Sequence, residues 1–478
     1  MKHEPPPAPG AGKEGKPRSG QRFAQAIAGT LLVSATLLVI ATELGAPAWA
    51  GRVAAALVVA FVLTQLGRLS FSVMILAAAG TAFILFGLLT RSDMPALMEA
   101  ALVRSTWVMA IFVSLLSLRS AVNDIPGIVR SGLYLVSQRP GRRYAALTLG
   151  SQLFSHILQY GAVTLLGGLV TGITAQEPES WVRRARERRM LLAIQRGFVS
   201  TLCWSPVAFP MIISTTVIPG SDWLGSAPGA LGTSIIIMGV GWFLDALFKP
   251  EVRPAPPPMP AIGSLADLLP LAMLFVALCA GTALLVLTTG VSTSVAVLIL
   301  VPAMAVGIVF VRAGGDVSQR LLAIGEWQRR FALEDAATFS AESMLVIVAT
   351  FTGILSVDLI GPIVAGIDLP PVPGWLLLVL ILWWMPLAGQ VGLHPILAAS
   401  LVGSLVHAPS EFGLQPDQVV VAMTAGWALS GATSPFTAVT LLVARLGRVS
   451  ATTVGLRWNG LFLIVSGVAL SLWLGIEV

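Results

Sequence analysis

The chain has 478 residues, 56% hydrophobic and 11% charged, with a formal net charge of +6. So much apolar surface excludes a water-soluble globule, and recurring runs of 18 or more mostly apolar residues mark a polytopic helical membrane protein. Cys203 and Cys279 lie inside apolar runs and the four histidines lack ligand spacing, which argues against a disulfide framework, a metal site or a bound cofactor. The arginines stand beside apolar runs, where they set topology and do not call for nucleic acid.

In chain order, residues 1–22 are polar, basic and rich in Pro and Gly, with no signal-peptide pattern, and read as a disordered cytoplasmic tail. Residues 23–52 hold an extra leading transmembrane helix, and runs at 53–67, 71–89 and 96–118 add three spans. The run at 144–172 is different. Arg119, Arg130, Arg139, Arg142 and Arg143 precede it, and Arg183, Arg184, Arg186, Arg188 and Arg189 follow it. One crossing would place one of these basic groups outside, so the run reads as a re-entrant hairpin. Runs at 190–217 and 227–247 complete a first repeat over 53–247, and 248–267 is a Pro-rich cytoplasmic linker.

Runs at 268–288, 293–311 and 343–365 come next, separated in part by a loop at 312–340 that reads as a cytoplasmic surface helix with solvated charges. The run at 374–408 has 35 residues, too many for one perpendicular crossing of a core about 30 Å thick. Gly389, Gly392 and Pro395 at its centre make it a second hairpin, entering from the other side. Runs at 418–444 and 459–477 close a second repeat over 268–478.

Eleven crossings and two hairpins result. A cytoplasmic N-terminus then leaves 26 of the 29 Lys and Arg inside and the C-terminus outside, as expected in a plasma (inner) membrane. Each repeat has three spans, a hairpin and two spans. Five crossings is an odd number, so the second repeat is inverted, the common plan of secondary transporters. The predicted fold class is all-α and polytopic, with broken helices.

The breaks are predicted at Ser205-Pro206 and Ser434-Pro435, one in each repeat. Proline removes a backbone donor deep in an apolar segment, which is tolerable only where the backbone is buried or lines a cavity. Solute-binding candidates are therefore Ser205, Pro206, Ser430, Thr433, Ser434 and Thr437 at the breaks. The first hairpin adds Ser155, His156, Gln159 and Tyr160, and the second adds Gln390, Gly392, His394 and Pro395. Ser200, Thr201 and the intramembrane acid Asp358 are candidates for handling a coupling ion, sodium or proton. Asp245, four residues before Lys249, is expected to pair with it on a helix surface. Glu99 and Arg104, five apart on the fourth span, are expected to pair with other groups.

The stretch "GATSPFTAVTLLVARLGRVSATTVGLRWNG", from Gly431 to Gly460, resembles the broken helix of the ion transporter superfamily. The layout over most of residues 50–478 is similar to the divalent-anion/sodium symporters, and more distantly to the arsenite permeases and sodium/proton antiporters. The resemblance implies a scaffold, a moving domain built from both hairpins and both breaks, and a homodimer. At the hairpin tips, "SHILQYGAVTLL" and "GQVGLHPILAASL" stand where the family carries Ser-Asn-Thr.

The expected function is secondary active transport of a small solute, an organic or inorganic anion, by proton- or sodium-coupled alternating access in a lipid bilayer. A cation/proton antiporter of the same superfamily is the alternative. A lipid-linked membrane enzyme ranks lower, since no acid or metal cluster is visible near one membrane face. The chain has no GxxxxGK[ST] sequence for ATP coupling.

Overall fold

The computed structural model describes residues 19–476 apart from 124, 140, 250–261, 366–371 and 407. Most of the expected tail and linker lies outside the described residues. The chain is helical throughout those residues, and ten helices are long and apolar enough to cross a membrane.

Four helices lead: α1 (Ser19–Glu43), α2 (Trp49–Gln65), α3 (Phe71–Thr90) and α4 (Met94–Val122). After the short amphipathic α5 (Pro126–Val136) come α6 (Arg143–Leu158) and α7 (Tyr160–Thr174), the two limbs of the first hairpin. The first broken helix is α8 (Trp181–Trp204) and α9 (Phe209–Val217), followed by α10 (Trp223–Leu247). The second half has α11 (Leu269–Thr289), α12 (Thr293–Ala313), the polar α13 (Val317–Arg330), the single turn α14 (Ala336–Thr338) and α15 (Ser340–Ala365). The second hairpin is α16 (Gly374–Gln390) and α17 (Pro395–Leu405), and the second broken helix is α18 (Pro416–Thr433) and α19 (Ala438–Gly447). The last helix, α20 (Gly460–Ile476), has 17 residues and is the eleventh apolar rod of the layout.

Side-chain caps start the helices where the backbone leaves a loop. Ser70, Ser180, Asp222 and Ser292 accept from the backbone N–H three residues on, which satisfies one of the open donors of α3, α8, α10 and α12. Asp222 does so at 2.8 Å.

The packing repeats with the sequence. In the first half α6 lies along α8, and in the second α16 lies along α18. The halves then exchange partners: α9 packs on α17, and α19 packs on α7, while α8 and α18 cross at the centre. Glycines permit the close crossings. A Cβ on Gly197 would stand 2.2 Å from the Thr148 carbonyl oxygen, and one on Gly426 2.5 Å from that of Leu382. Each glycine lies eight residues before the serine of its Ser-Pro pair. Small residues of this kind let intramembrane helices approach and gain dispersion contacts where no hydrophobic driving force separates helix from lipid. A second set of helices, α3, α4, α12 and α15, packs together beside this centre.

Several arginines counted as cytoplasmic lie within helices, among them Arg119 at the end of α4, and Arg183, Arg184, Arg186, Arg188, Arg189 and Arg196 in α8. Asp245 does not pair with Lys249. Both its carboxylate oxygens accept from Arg189, at 2.7 and 2.6 Å, because α8 and α10 pack side by side and a planar guanidinium matches a carboxylate in two bonds. Glu99 pairs with Arg52 at 2.8 Å. Cys203 is buried and Cys279 is half-buried.

Candidate functional site

Both Ser-Pro pairs end a helix. Ser205 closes α8 and Ser434 closes α18, each with extended backbone, and α9 and α19 restart after a gap. The two serines make the same local turn: Val207 N–H donates to Ser205 Oγ at 3.3 Å, and Phe436 N–H donates to Ser434 Oγ at 3.2 Å. The hydroxyl thus caps a backbone group that a continuous helix would have satisfied internally. The breaks lie close to one another. A Cβ on Gly431 would meet Leu202 Cδ1 at 3.5 Å, and both residues stand three positions before their Ser-Pro serine. Equivalent positions touch in this way near a two-fold axis.

Each hairpin tip reaches the break of its own half. Gln159 turns the first tip with φ of 51°, a region that non-glycine residues rarely occupy, and its side-chain amide donates to Val207 O at 3.5 Å. The second tip turns at Gly392, φ 83°, where a Cβ would face the Phe436 ring at 3.6 Å. There Ser434 Oγ also donates to Gly389 O at 2.7 Å. His394 caps α17, its Nδ1 accepting from Ile396 N–H at 3.3 Å, with Pro395 in the first turn.

Several buried polar atoms here have no hydrogen-bond partner: Gln390 Nε2, Ser430 Oγ and His156 Nε2. Such atoms cost about 1–3 kcal/mol each when left unsatisfied, so they mark where a polar ligand is favoured. Ser430 faces the second hairpin, since a Cβ on Gly389, next to Gln390 in the chain, would stand against Ser430 Oγ. The His156 Nδ1 atom lies 2.7 Å from Gln152 O, which can only accept, so Nδ1 carries the proton and Nε2 has a free lone pair. The imidazole lies between Trp204 and Phe275, with ring centroids 4.9 and 4.6 Å away.

The other candidates are distributed around this centre. Thr437 Oγ1 bonds Gly431 O and Ser434 O, both at 3.0 Å, and holds the second break open. Thr433 and Ser155 return their hydroxyls to their own helices, at Leu429 O and Ser151 O. Ser200 accepts from Gln152 at 2.8 Å, and Thr201 donates to Gly197 O at 3.1 Å. Tyr160 stacks near Phe198, centroids 5.1 Å apart. Asp358 lies apart from the breaks. Arg91 Nη1 donates to its carbonyl at 3.2 Å, and its charged neighbours are Arg104, Arg91 and Asp93. The Arg91 guanidinium, hydrogen-bonded to Asp93 in the adjoining loop, holds that carboxyl below its usual range.

A buried network behind the second break went unnoticed in the sequence. Asn459 donates to Gln195 Oε1 at 3.0 Å and to Ala432 O at 3.2 Å, and accepts from Arg196 Nε at 3.2 Å. Gln195 donates in turn to Ala432 O and Thr440 Oγ1, and Arg196 to Tyr144 Oη and Gly241 O. A π-helical turn, Thr453–Trp458, aims Asn459 inward and presses Gly455 against the Thr433 carbonyl. The available signal was three strongly polar residues, Gln195, Arg196 and Asn459, next to apolar runs.

A cavity of about 120 Å³ reaches the first break from the side opposite the arginine-rich loops. Trp107, Pro206, Met211, Asp222, Trp223 and Thr293 line it, so it lies between the broken helix and the neighbouring α4 and α12.

No protein-family model matches the chain, and no curated protein matches it by sequence. Its fold is similar to the crystal structure of the YdaH transporter of Alcanivorax borkumensis, described as having an unusual topology. The TM-score is 0.53 at 14% identity, over 85% of this chain and 99% of that one. It is also similar to MtrF of Neisseria gonorrhoeae, described as illuminating a class of antimetabolite efflux pumps. That TM-score is 0.54 at 12% identity, over 85% of this chain and 95% of that one. The likeness is one of fold, shared with these two multi-pass membrane transporters, and does not single out the divalent-anion/sodium symporter branch.

Proposed function

We propose that this chain is a secondary transporter that moves a small organic anion across the membrane by alternating access, driven by a proton or sodium gradient. The observation that carries the reading is the meeting of both hairpin tips with both Ser-Pro breaks, where Gln390 Nε2 and Ser430 Oγ are buried donors without a partner. Interrupted helices expose backbone donors and the positive ends of their dipoles, and α7 and α17 begin at the hairpin tips. Those features suit an anion better than a cation. The cavity leading to Pro206 supplies an approach from one side.

By the charge rule the arginine-rich loops face the cytoplasm, so that cavity opens outward. Similarity in fold to an antimetabolite efflux pump favours export over import. The homodimer implied by the family resemblance belongs to the same proposal.

Reconstitution in liposomes with imposed proton or sodium gradients tests it. Radiolabelled mono- and dicarboxylates and inorganic oxyanions are followed in both directions. Gradient-dependent flux of at least one anion is expected, with Ser434→Ala and His394→Ala lowering it. Flux of no solute under any gradient, with modification of added lipid instead, would overturn the transport reading.

A further inference from the structure

Arg119 is the group that the site described above leaves unexplained. It lies in the last turn of α4 and is half-buried. Among the described residues its guanidinium has no hydrogen bond and no carboxylate at ion-pair distance. Its cation sits over the Phe339 ring at 4.8 Å. Nearby Asp335 is engaged elsewhere, by the Ser120 hydroxyl and by Arg330 at 3.9 Å. Glu342 and Asp335 act on it only at longer range, and a half-buried guanidinium with no carboxylate bonded to it favours an oxyanion beside it.

Its position is fixed by the first hairpin. A Cβ on Gly161 would stand 3.2 Å from Arg119 Nε and 3.3 Å from Cζ, so glycine lets the guanidinium lie against the first turn of α7. That turn follows Gln159 directly, at the level of the Val207 break. Tyr160 is 41% exposed here, and Glu342 acts electrostatically on both Tyr160 and Arg119, so the three groups lie near one another. α4 also lines the outer cavity through Trp107, and between the two Phe112 meets Phe209 edge-on at 5.5 Å.

We propose that Arg119, facing the tip of the first hairpin from α4, binds the oxyanion head of the transported solute, a carboxylate or sulfonate, on the arginine-rich side of the break. This rests on the anion-transport reading. Glu342 opposes it, and release of the solute follows the balance between the two charges.

The test reads charge around Arg119 without requiring transport. A Tyr160→Cys variant in phosphatidylcholine vesicles is labelled from the arginine-rich side with anionic sulfonatoethyl or cationic trimethylammonioethyl methanethiosulfonate. Rates are read by peptide mass spectrometry. The anionic-to-cationic rate ratio should fall by about tenfold on adding Arg119→Gln and return with Arg119→Lys. Glu342→Gln, an exposed change, should raise it. The same ratio at Val391→Cys, on the other hairpin tip, should not move with Arg119→Gln. Millimolar benzoate should slow labelling only when position 119 is cationic.

An unchanged ratio at position 160 overturns the site, and so does protection by phosphatidylglycerol but not by benzoate, which makes it a lipid site. If Arg119→Gln does not fold, Arg119→Lys and Glu342→Gln still decide the outcome. A shifted ratio with no anion flux in the parent protein sinks the transport reading alone. Intact flux with an unshifted ratio sinks this inference alone.

Discussion

Ser434 Oγ donates to Gly389 O at 2.7 Å and accepts from Phe436 N–H at 3.2 Å, so one hydroxyl ties the second hairpin to the second break. Its counterpart Ser205 accepts from Val207 N–H and, among the described residues, makes no bond to the first hairpin, which is joined to its break by Gln159 instead. The two-fold pattern is thus kept in the backbone and relaxed in the side chains. Ser434→Ala removes two hydrogen bonds, leaving the Phe436 N–H unsatisfied and Gly389 O with only its bonds from backbone N–H groups such as Gly392 at 3.2 Å, at a cost of about 1–3 kcal/mol, whereas Ser205→Ala removes one. In detergent, thermal unfolding should show Ser434→Ala as the more destabilised of the two. Equal shifts would mean that the hydroxyl does not hold the hairpin.

The rods and their order were legible because lipid imposes a strong rule: a spanning helix must be long and apolar, and arginines mark one side. That rule found both hairpins and placed both breaks to the residue, since Pro206 and Pro435 remove a backbone donor wherever they stand. It failed for contacts between distant segments. Arg119 read as a loop charge because the apolar run stops at 118 while α4 continues to Val122. Asp245 was matched to a neighbour four residues away, while its partner Arg189 is 56 residues off and meets it through helix packing. The spacing GFVSTLCWSP against GWALSGATSP, glycine eight before serine, was a readable sign of the two close crossings.

Those glycines make the second prediction. At Gly197 and Gly426 the obstacle to a Cβ is a backbone carbonyl of the adjacent hairpin limb, at 2.2 and 2.5 Å, which cannot swing aside as a side chain can. Gly197→Ala and Gly426→Ala should each cost about 1–3 kcal/mol through forced separation of the helices. Gly168→Ala, which meets nothing within 4 Å, is the control. The measurement is the thermal midpoint of purified protein in detergent. Wild-type midpoints for both crossing variants would show that the helices are less closely packed than described.

A third prediction concerns Asn459, whose amide satisfies Gln195, Ala432 and Val454 while its oxygen accepts from Arg196. Asn459→Ala strands several of these groups at once, and a loss of about 3 kcal/mol or more is expected from buried unsatisfied polar atoms. Gln195→Ala removes part of the same network, so the double variant should lose less than the sum, with a coupling of about 0.5–3 kcal/mol. Strict additivity in denaturation midpoints would show the two residues to be independent.

The fourth prediction follows from α4, which passes both sides of the break. Trp107 lies in the outer cavity with Pro206, and Arg119 lies at the opposite side of the hairpin tip, while the Phe112–Phe209 edge contact and the His156–Trp204–Phe275 cluster occupy the space between. Thr215 lines the cavity, and Tyr160 is exposed at the first hairpin tip. With a membrane-impermeant thiol reagent added to one side of sealed vesicles, Thr215→Cys should label from the side opposite the arginine-rich loops and Tyr160→Cys from the arginine-rich side. Replacing Phe112 with alanine removes one ring of an aromatic pair worth about 0.5–1.5 kcal/mol beyond its buried area. The barrier between the two spaces should then weaken, and labelling of Tyr160→Cys from the far side should rise several-fold. If both positions label from one side only in the parent protein, Thr215 and Tyr160 face the same aqueous space and the aromatic contacts do not divide it.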